Sequence, residues 1–120
     1  MPTPITVLIV EDEPLVSMAL ADHLEHEGYR VLEAVNAAAA LRLLETCDDI
    51  SLIITDVDMP GRMDGLMLAA AVADRWPPIR IIVVSGHRAI APTDIPDGSL
   101  FFPKPYSYAE ILTSMRDLHG

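Results

Sequence analysis

The sequence predicts an α/β fold, a doubly wound five-stranded parallel sheet with helices on both faces. Three observations carry this expectation. Short strand-like segments, rich in apolar and β-branched residues, recur at residues 5–10, 29–35, 50–55, 79–84 and 99–102. The clearest of them lack strict alternation, so they read as strands buried on both faces. Stretches with helical spacing separate most of these runs, and strands alternating with helices imply right-handed crossovers in one parallel sheet. Finally, a chain of 120 residues with 51% hydrophobic content can bury a core of its own, so residues 1–120 are expected to form one domain.

Each element has local signals. The first strand stops at Glu11-Asp12-Glu13-Pro14, and Pro14 suits the first turn of a helix. Val16, Leu20 and Leu24 recur every fourth residue with Ala19 alongside, and Gly28 supplies the stop. Asn36 can cap a second helix through Ala37 to Ala40, Leu41 and Leu44. Asp64 can cap a third over residues 65–76, which Pro77-Pro78 closes. The fourth strand runs into Ser85-Gly86-His87. Residues 88–98 are the least regular stretch, because Pro92 and Pro96 leave any fourth helix short or irregular. The fifth strand leads to Pro103-Lys104-Pro105. Ser107 and Glu110 then form an S-x-x-E capping box for a closing helix that turns Ile111, Met115 and Leu118 to the core. No internal repeat, low-complexity tract or linker interrupts the chain.

Charge narrows the function classes. Eight basic against 18 acidic residues give a net charge of −10, a field that repels nucleic acids and anionic membrane surfaces. No apolar run has transmembrane length, and Met1-Pro2-Thr3-Pro4 does not resemble a secretion signal, so a cytoplasmic protein is expected. The single cysteine, Cys47, agrees with a reducing compartment and reads as packing. His23 and His26 share one helix while His87 and His119 are scattered, which does not suggest a transition-metal site. Trp76 and the alanine-rich helix faces read as packing and surface. An apolar outer face on the second or third helix would point to a homodimer.

The chemistry gathers at the strand ends. Asp56 follows a buried strand, and an isolated aspartate there is ordinarily a loop or cap residue. Its neighbours change that reading, because in a parallel sheet of this kind the ends of strands one and three adjoin and bring Glu11, Asp12 and Asp56 together. Two carboxylates about 4 Å apart repel by roughly 4 kcal/mol at an effective dielectric near 20. Three call for a counter-charge, and Mg²⁺ (or Mn²⁺) answers that need with oxygen ligands and open positions for phosphate oxygens. Lys104 can bring a second cation and Ser85 a hydroxyl. A carboxylate nucleophile, a metal seat, a cation and a hydroxyl donor are the parts required to move a phosphoryl group onto an aspartate.

With these residues in place the sequence resembles the receiver domain of bacterial two-component response regulators over nearly its whole length. The matching positions are the acidic pair Glu11-Asp12, the phosphoacceptor Asp56, the switch hydroxyl Ser85, the aromatic switch position Phe101, and Lys104-Pro105, a lysine followed by a cis peptide. The resemblance implies a flavodoxin-like (βα)5 fold and Mg²⁺ held by Asp12, Asp56 and the backbone carbonyl of Asp58, beside Glu11. It also implies phosphotransfer from a histidine kinase or histidine phosphotransfer protein, self-dephosphorylation, and hydrolysis tuned by Asp58 and His87. Because the chain ends at Gly120, soon after the closing helix, no output domain is expected, and an unknown downstream protein would receive the signal. Two features depart from the family. The loop Met59-Pro60-Gly61-Arg62-Met63-Asp64-Gly65 is one residue longer, and the Ser85 to Lys104 interval is shorter. Three other readings remain: a phosphate-independent pseudo-receiver module; a haloacid-dehalogenase-like phosphatase using Asp56 and Asp58; and a flavodoxin-like cofactor module. In the last, Glu11-Asp12-Glu13 would repel the cofactor's phosphate.

Overall fold

The computed structural model describes residues 4–86 and 89–119. Five strands and four helices alternate: β1 (Thr6–Val10), α1 (Pro14–His26), β2 (Arg30–Ala34), α2 (Ala37–Thr46), β3 (Ile50–Asp56), α3 (Gly65–Arg75), β4 (Arg80–Ser85), β5 (Leu100–Pro103) and α4 (Tyr108–His119). All strand pairs are parallel, in the order β2-β1-β3-β4-β5. This is the flavodoxin-like doubly wound order, in which ligands bind beyond the carboxyl ends of the strands where the order reverses, here between β1 and β3.

Side-chain alternation along the strands builds two cores. Leu8, Val10, Ile53 and Val83 face α2 and α3, where they meet Ala40, Leu44, Leu68 and Val72. Val7, Ile9, Leu52, Ile54 and Ile82 face α1 and α4, where they meet Leu20, Leu24, Ile111 and Met115. Period-two alternation with both faces covered explains why these strands read as apolar runs rather than alternating ones.

The helix ends obey the local signals. Asn36 Oδ1 accepts the Ala39 N–H at 2.8 Å, and Asp64 Oδ1 accepts the Met67 N–H at 2.9 Å. Gly28 adopts φ +95° just past α1, a conformation that suits glycine. Ser107 Oγ accepts the Glu110 N–H at 3.4 Å, the serine half of the expected capping box.

Helix α1 corrects the expected stripe. Its buried residues are Ser17, Leu20, Ala21 and Leu24, whereas Val16 is only partly buried and Ala19 is exposed. Spacing i, i+3, i+4, i+7 from Ser17 defines the inward face, and counting apolar residues alone overlooks a serine whose hydroxyl finds a partner there. Between β4 and β5 the described residues form one 3₁₀ turn, Pro92–Asp94, in place of a full helix, as the two prolines predict. Ile90 and Ile95 from this segment, like Phe101 of β5, pack against the α2/α3 core. Among the described residues no helix is long and apolar enough to cross a membrane.

The burial pattern orders the cost of substitutions. Ile53, fully buried between the sheet and α2/α3, is expected to lose about 2–5 kcal/mol on change to Ala. Asn36→Ala, which removes one cap bond, is expected to lose about 1 kcal/mol. Urea denaturation of both variants checks the order.

Candidate functional site

Four strand ends converge on one edge of the sheet. Past β1, the Glu11 N–H donates to Ala34 O at 3.0 Å, and the Glu13 N–H donates to Glu11 Oε2 at 3.1 Å, which holds this carboxylate against its own loop. β3 ends at Asp56, where Thr55 Oγ1 donates to the Asp56 carbonyl at 2.9 Å. β4 ends at Ser85, and the Lys104 N–H donates to Ser85 O at 2.9 Å, bringing the residue after β5 alongside. The Lys104–Pro105 peptide is cis.

Lys104 is the hinge of this arrangement. Its Nζ lies 3.1 Å from Glu11 Oε1 and 3.1 Å from Asp56 Oδ2. Carboxylate oxygens of Glu11, Asp12 and Asp56 all lie within 4.8 Å of one another. Glu11 and Asp56 are 5% and 6% exposed, while Asp12 is more open to solvent. Ser85, 2% exposed, donates its hydroxyl to Asp58 Oδ2 at 3.4 Å. Phe101 on β5 is partly buried against the α2/α3 core. His87 lies outside the described residues.

Two contributors escaped the sequence reading. Gly65, expected only as a helix start, opens α3 directly under the acceptor strand. A Cβ there would overlap the Asp56 carbonyl and lie 2.7 Å from Val57 Cα. The Gly65 N–H also donates to Val57 O at 2.8 Å, so α3 is pressed onto the end of β3. Tyr106, just past the cis peptide, lines a small cavity with Glu11, Asp56 and Ser17. A glycine at the first turn of a helix that packs on a strand end was the available signal for the first. Tyr106 carried none, because only the fold brings it beneath the site. In the lengthened loop, Gly61 takes φ +111°, which accommodates the turn before Arg62.

Burial sets the electrostatics. It pushes the Asp56 carboxyl above its ordinary value, although hydrogen bonding to Lys104 and the Lys104 charge pull it back. Glu11 is raised in the same way, first by burial and further by the Asp56 charge, against the Glu13 N–H and Lys104. For Lys104, burial disfavours the ammonium form, but hydrogen bonds to Glu11 and Asp56 outweigh it and hold the lysine protonated above its usual value. Burial raises the Tyr106 hydroxyl to about 12, with Tyr108 adding to it, so this group stays neutral. One lysine therefore under-compensates the carboxylates around it. The donor set, three hard oxygen ligands with negative charge to spare, fits Mg²⁺ or Mn²⁺.

Two outcomes follow. The folded values of Glu11 and Asp56 lie above their ordinary 4.5 and 3.8, so their contribution to stability is full below those values and is lost as pH rises through the folded ones. Asp56→Asn removes one of these ionisations. In EDTA it is expected to be more stable than the parent at neutral pH, on the order of 1 kcal/mol, with the difference vanishing at acid pH; denaturation midpoints across pH check it. Gly65→Ala is expected to cost about 1–3 kcal/mol or more by forcing α3 away from Asp56, read by urea denaturation.

The comparisons with known proteins agree with this geometry. A family model described as the response regulator receiver domain matches residues 7–116. The chain is 35% identical over 119 residues to the sensor kinase CckA of Brucella abortus, covering 94% of this chain but 12% of that kinase's length. It is 29% identical over 115 residues to the response regulator receiver protein CpdR of Brucella abortus, covering 93% of this chain and 94% of that protein. Among solved structures, the response regulator protein TrrA of Thermotoga maritima, in complex with Mg²⁺-BeF, superposes with a TM-score of 0.81 at 25% identity, covering 94% of this chain and 97% of that one. The chain belongs to the response regulator receiver domain family of two-component systems.

Proposed function

We propose that this receiver accepts a phosphoryl group on Asp56 from a phosphohistidine of a histidine kinase or histidine phosphotransfer protein. The observation that carries the reading is the buried Asp56 carboxylate, 3.1 Å from Lys104 Nζ and within 4.8 Å of the Glu11 and Asp12 oxygens. Likeness to a sensor kinase and to a receiver bound to Mg²⁺-BeF supports the donor class and the metal. Asp12, Asp56 and the Asp58 backbone carbonyl would hold Mg²⁺, with Glu11 beside them. Bound there, the cation would supply positive charge to the phosphoryl oxygens.

The chain's own residues do the rest. An Asp56 Oδ attacks phosphorus, an O–P bond forms as the P–N bond breaks, and the electron pair leaves with the imidazole nitrogen. Lys104 then exchanges a carboxylate partner for a phosphoryl oxygen, which it can do while still anchored to Glu11. The product adds nearly two negative charges and new acceptors beside Ser85. Its hydroxyl, bonded to Asp58 only at 3.4 Å, turns toward the phosphoryl group, and Phe101 moves into the space it leaves. That repacking near β5 shifts the population toward a state read by a downstream protein or a second copy of the chain. Water attack later breaks the O–P bond, with Asp58 and His87 governing access.

Intact mass after incubation with Mg²⁺ and a small-molecule phosphodonor tests the reading. One added phosphoryl group is expected, absent in Asp56→Asn and in EDTA. A folded protein that gains nothing under any condition would establish a phosphate-independent interaction module instead.

A further inference from the structure

The loop carrying Glu11 and Asp12 is tied at both ends to two consecutive residues of the edge strand β2. At its start, the Glu11 N–H donates to Ala34 O at 3.0 Å. At its end, the Ser17 N–H donates to Glu13 O at 3.0 Å, and Ser17 Oγ donates to Glu33 Oε1 at 2.6 Å. That last length is characteristic of a charge-assisted hydroxyl–carboxylate bond. Ser17 is 4% exposed and sits on the α1 face where an apolar residue would ordinarily pack. It also lines the small cavity shared with Glu11 and Asp56.

We propose that Ser17 and Glu33 are positioning residues for the metal seat: their hydrogen bond locks the first turns of α1 to β2 and thereby holds the Glu11-Asp12 loop in a ligating conformation. The physical need is specific. Mg²⁺ demands near-octahedral geometry with little tolerance, so a carboxylate on a loop has to be held in place before the ion arrives. The strand anchor at Ala34 holds only one side of the loop. Without the Ser17–Glu33 bond, α1 still packs on the sheet through Leu20 and Leu24, but such apolar contacts do not fix its position along β2, and a small slide would carry Glu13 and Asp12 with it. This inference rests on the reading of Glu11, Asp12 and Asp56 as a Mg²⁺ site.

Calorimetric titration of Mg²⁺ into the full chain tests it, together with denaturation midpoints in EDTA and in saturating Mg²⁺. Ser17→Ala changes no charge. It is expected to weaken Mg²⁺ binding by roughly threefold to tenfold, less than the 10- to 100-fold typical of a ligand's direct hydrogen-bond partner, and to shrink the rise in midpoint that Mg²⁺ confers. Glu33→Ala is expected to act in the same direction, and the double variant to bind no more weakly than the weaker single one. Thr6→Val serves as the structural control. It removes a hydroxyl bonded to Asp49 Oδ2 at 3.1 Å at the far end of β1 and is expected to lower both midpoints equally without changing affinity. Ser17→Ala with parental Mg²⁺ affinity would overturn the inference, whatever its stability. A parent chain that binds no Mg²⁺ would overturn the site reading itself, and that result is seen before any variant is compared.

Discussion

The site depends on one lysine bridging two buried carboxylates. Lys104 Nζ sits 3.1 Å from both Glu11 and Asp56, at the edge of a sheet whose interior is hydrocarbon. Without it, two carboxylates less than one-tenth exposed would face each other where the effective dielectric is well below that of water, and one would have to take up a proton. The lysine allows both to ionise, yet a single positive charge does not balance three carboxylates. The residual negative charge is what makes the edge chemically suited to a divalent cation, which would take over part of the neutralisation that Lys104 supplies.

Placing that lysine is the work of the sheet. β5 pairs with β4 in a register that sets Ser85 opposite Pro103, and the Lys104 N–H continues the ladder by donating to Ser85 O. Gly86 has no side chain to obstruct the lysine stem, since a Cβ there would meet Lys104 Cβ at 3.3 Å. The same ladder places the Ser85 hydroxyl one strand, and Phe101 two strands, from the strand that carries Asp56. A change of charge at Asp56 therefore has a short mechanical route to the β5 edge. Here that edge is bordered by a 3₁₀ turn with Ile90 and Ile95 packed inward, where two prolines exclude a longer helix. The surface presented next to Phe101 is accordingly shaped by an irregular segment.

Much of the fold was legible because local chemistry and global packing agree along the chain. Residues 52–54 and 81–84 are apolar at consecutive positions because both sheet faces are covered, and Asn36 and Asp64 mark helix starts by the bonds they make. Asp56 and Lys104 were legible as strand-end residues of complementary charge. Legibility failed where a side chain's partner is distant. Ser17 reads as polar and therefore outward until Glu33, sixteen residues away, is seen beside it. Leu112 is buried beside Ile111 and Met115, whereas Leu118 is only partly buried, and the spacing of Ile111, Met115 and Leu118 did not single Leu112 out.

What the sequence determined by itself was therefore the set of elements, their parallel order and the chemical kind of each group at the strand ends. These follow from interactions between residues a few positions apart or from the period of the apolar pattern. Tertiary structure alone decided which of those groups touch: Lys104 on both Glu11 and Asp56, Ser85 on Asp58, Gly65 beneath the Asp56 carbonyl, and Ser17 on Glu33. Such contacts join residues many positions apart, and their distances are set by strand register and helix packing, which no local signal encodes.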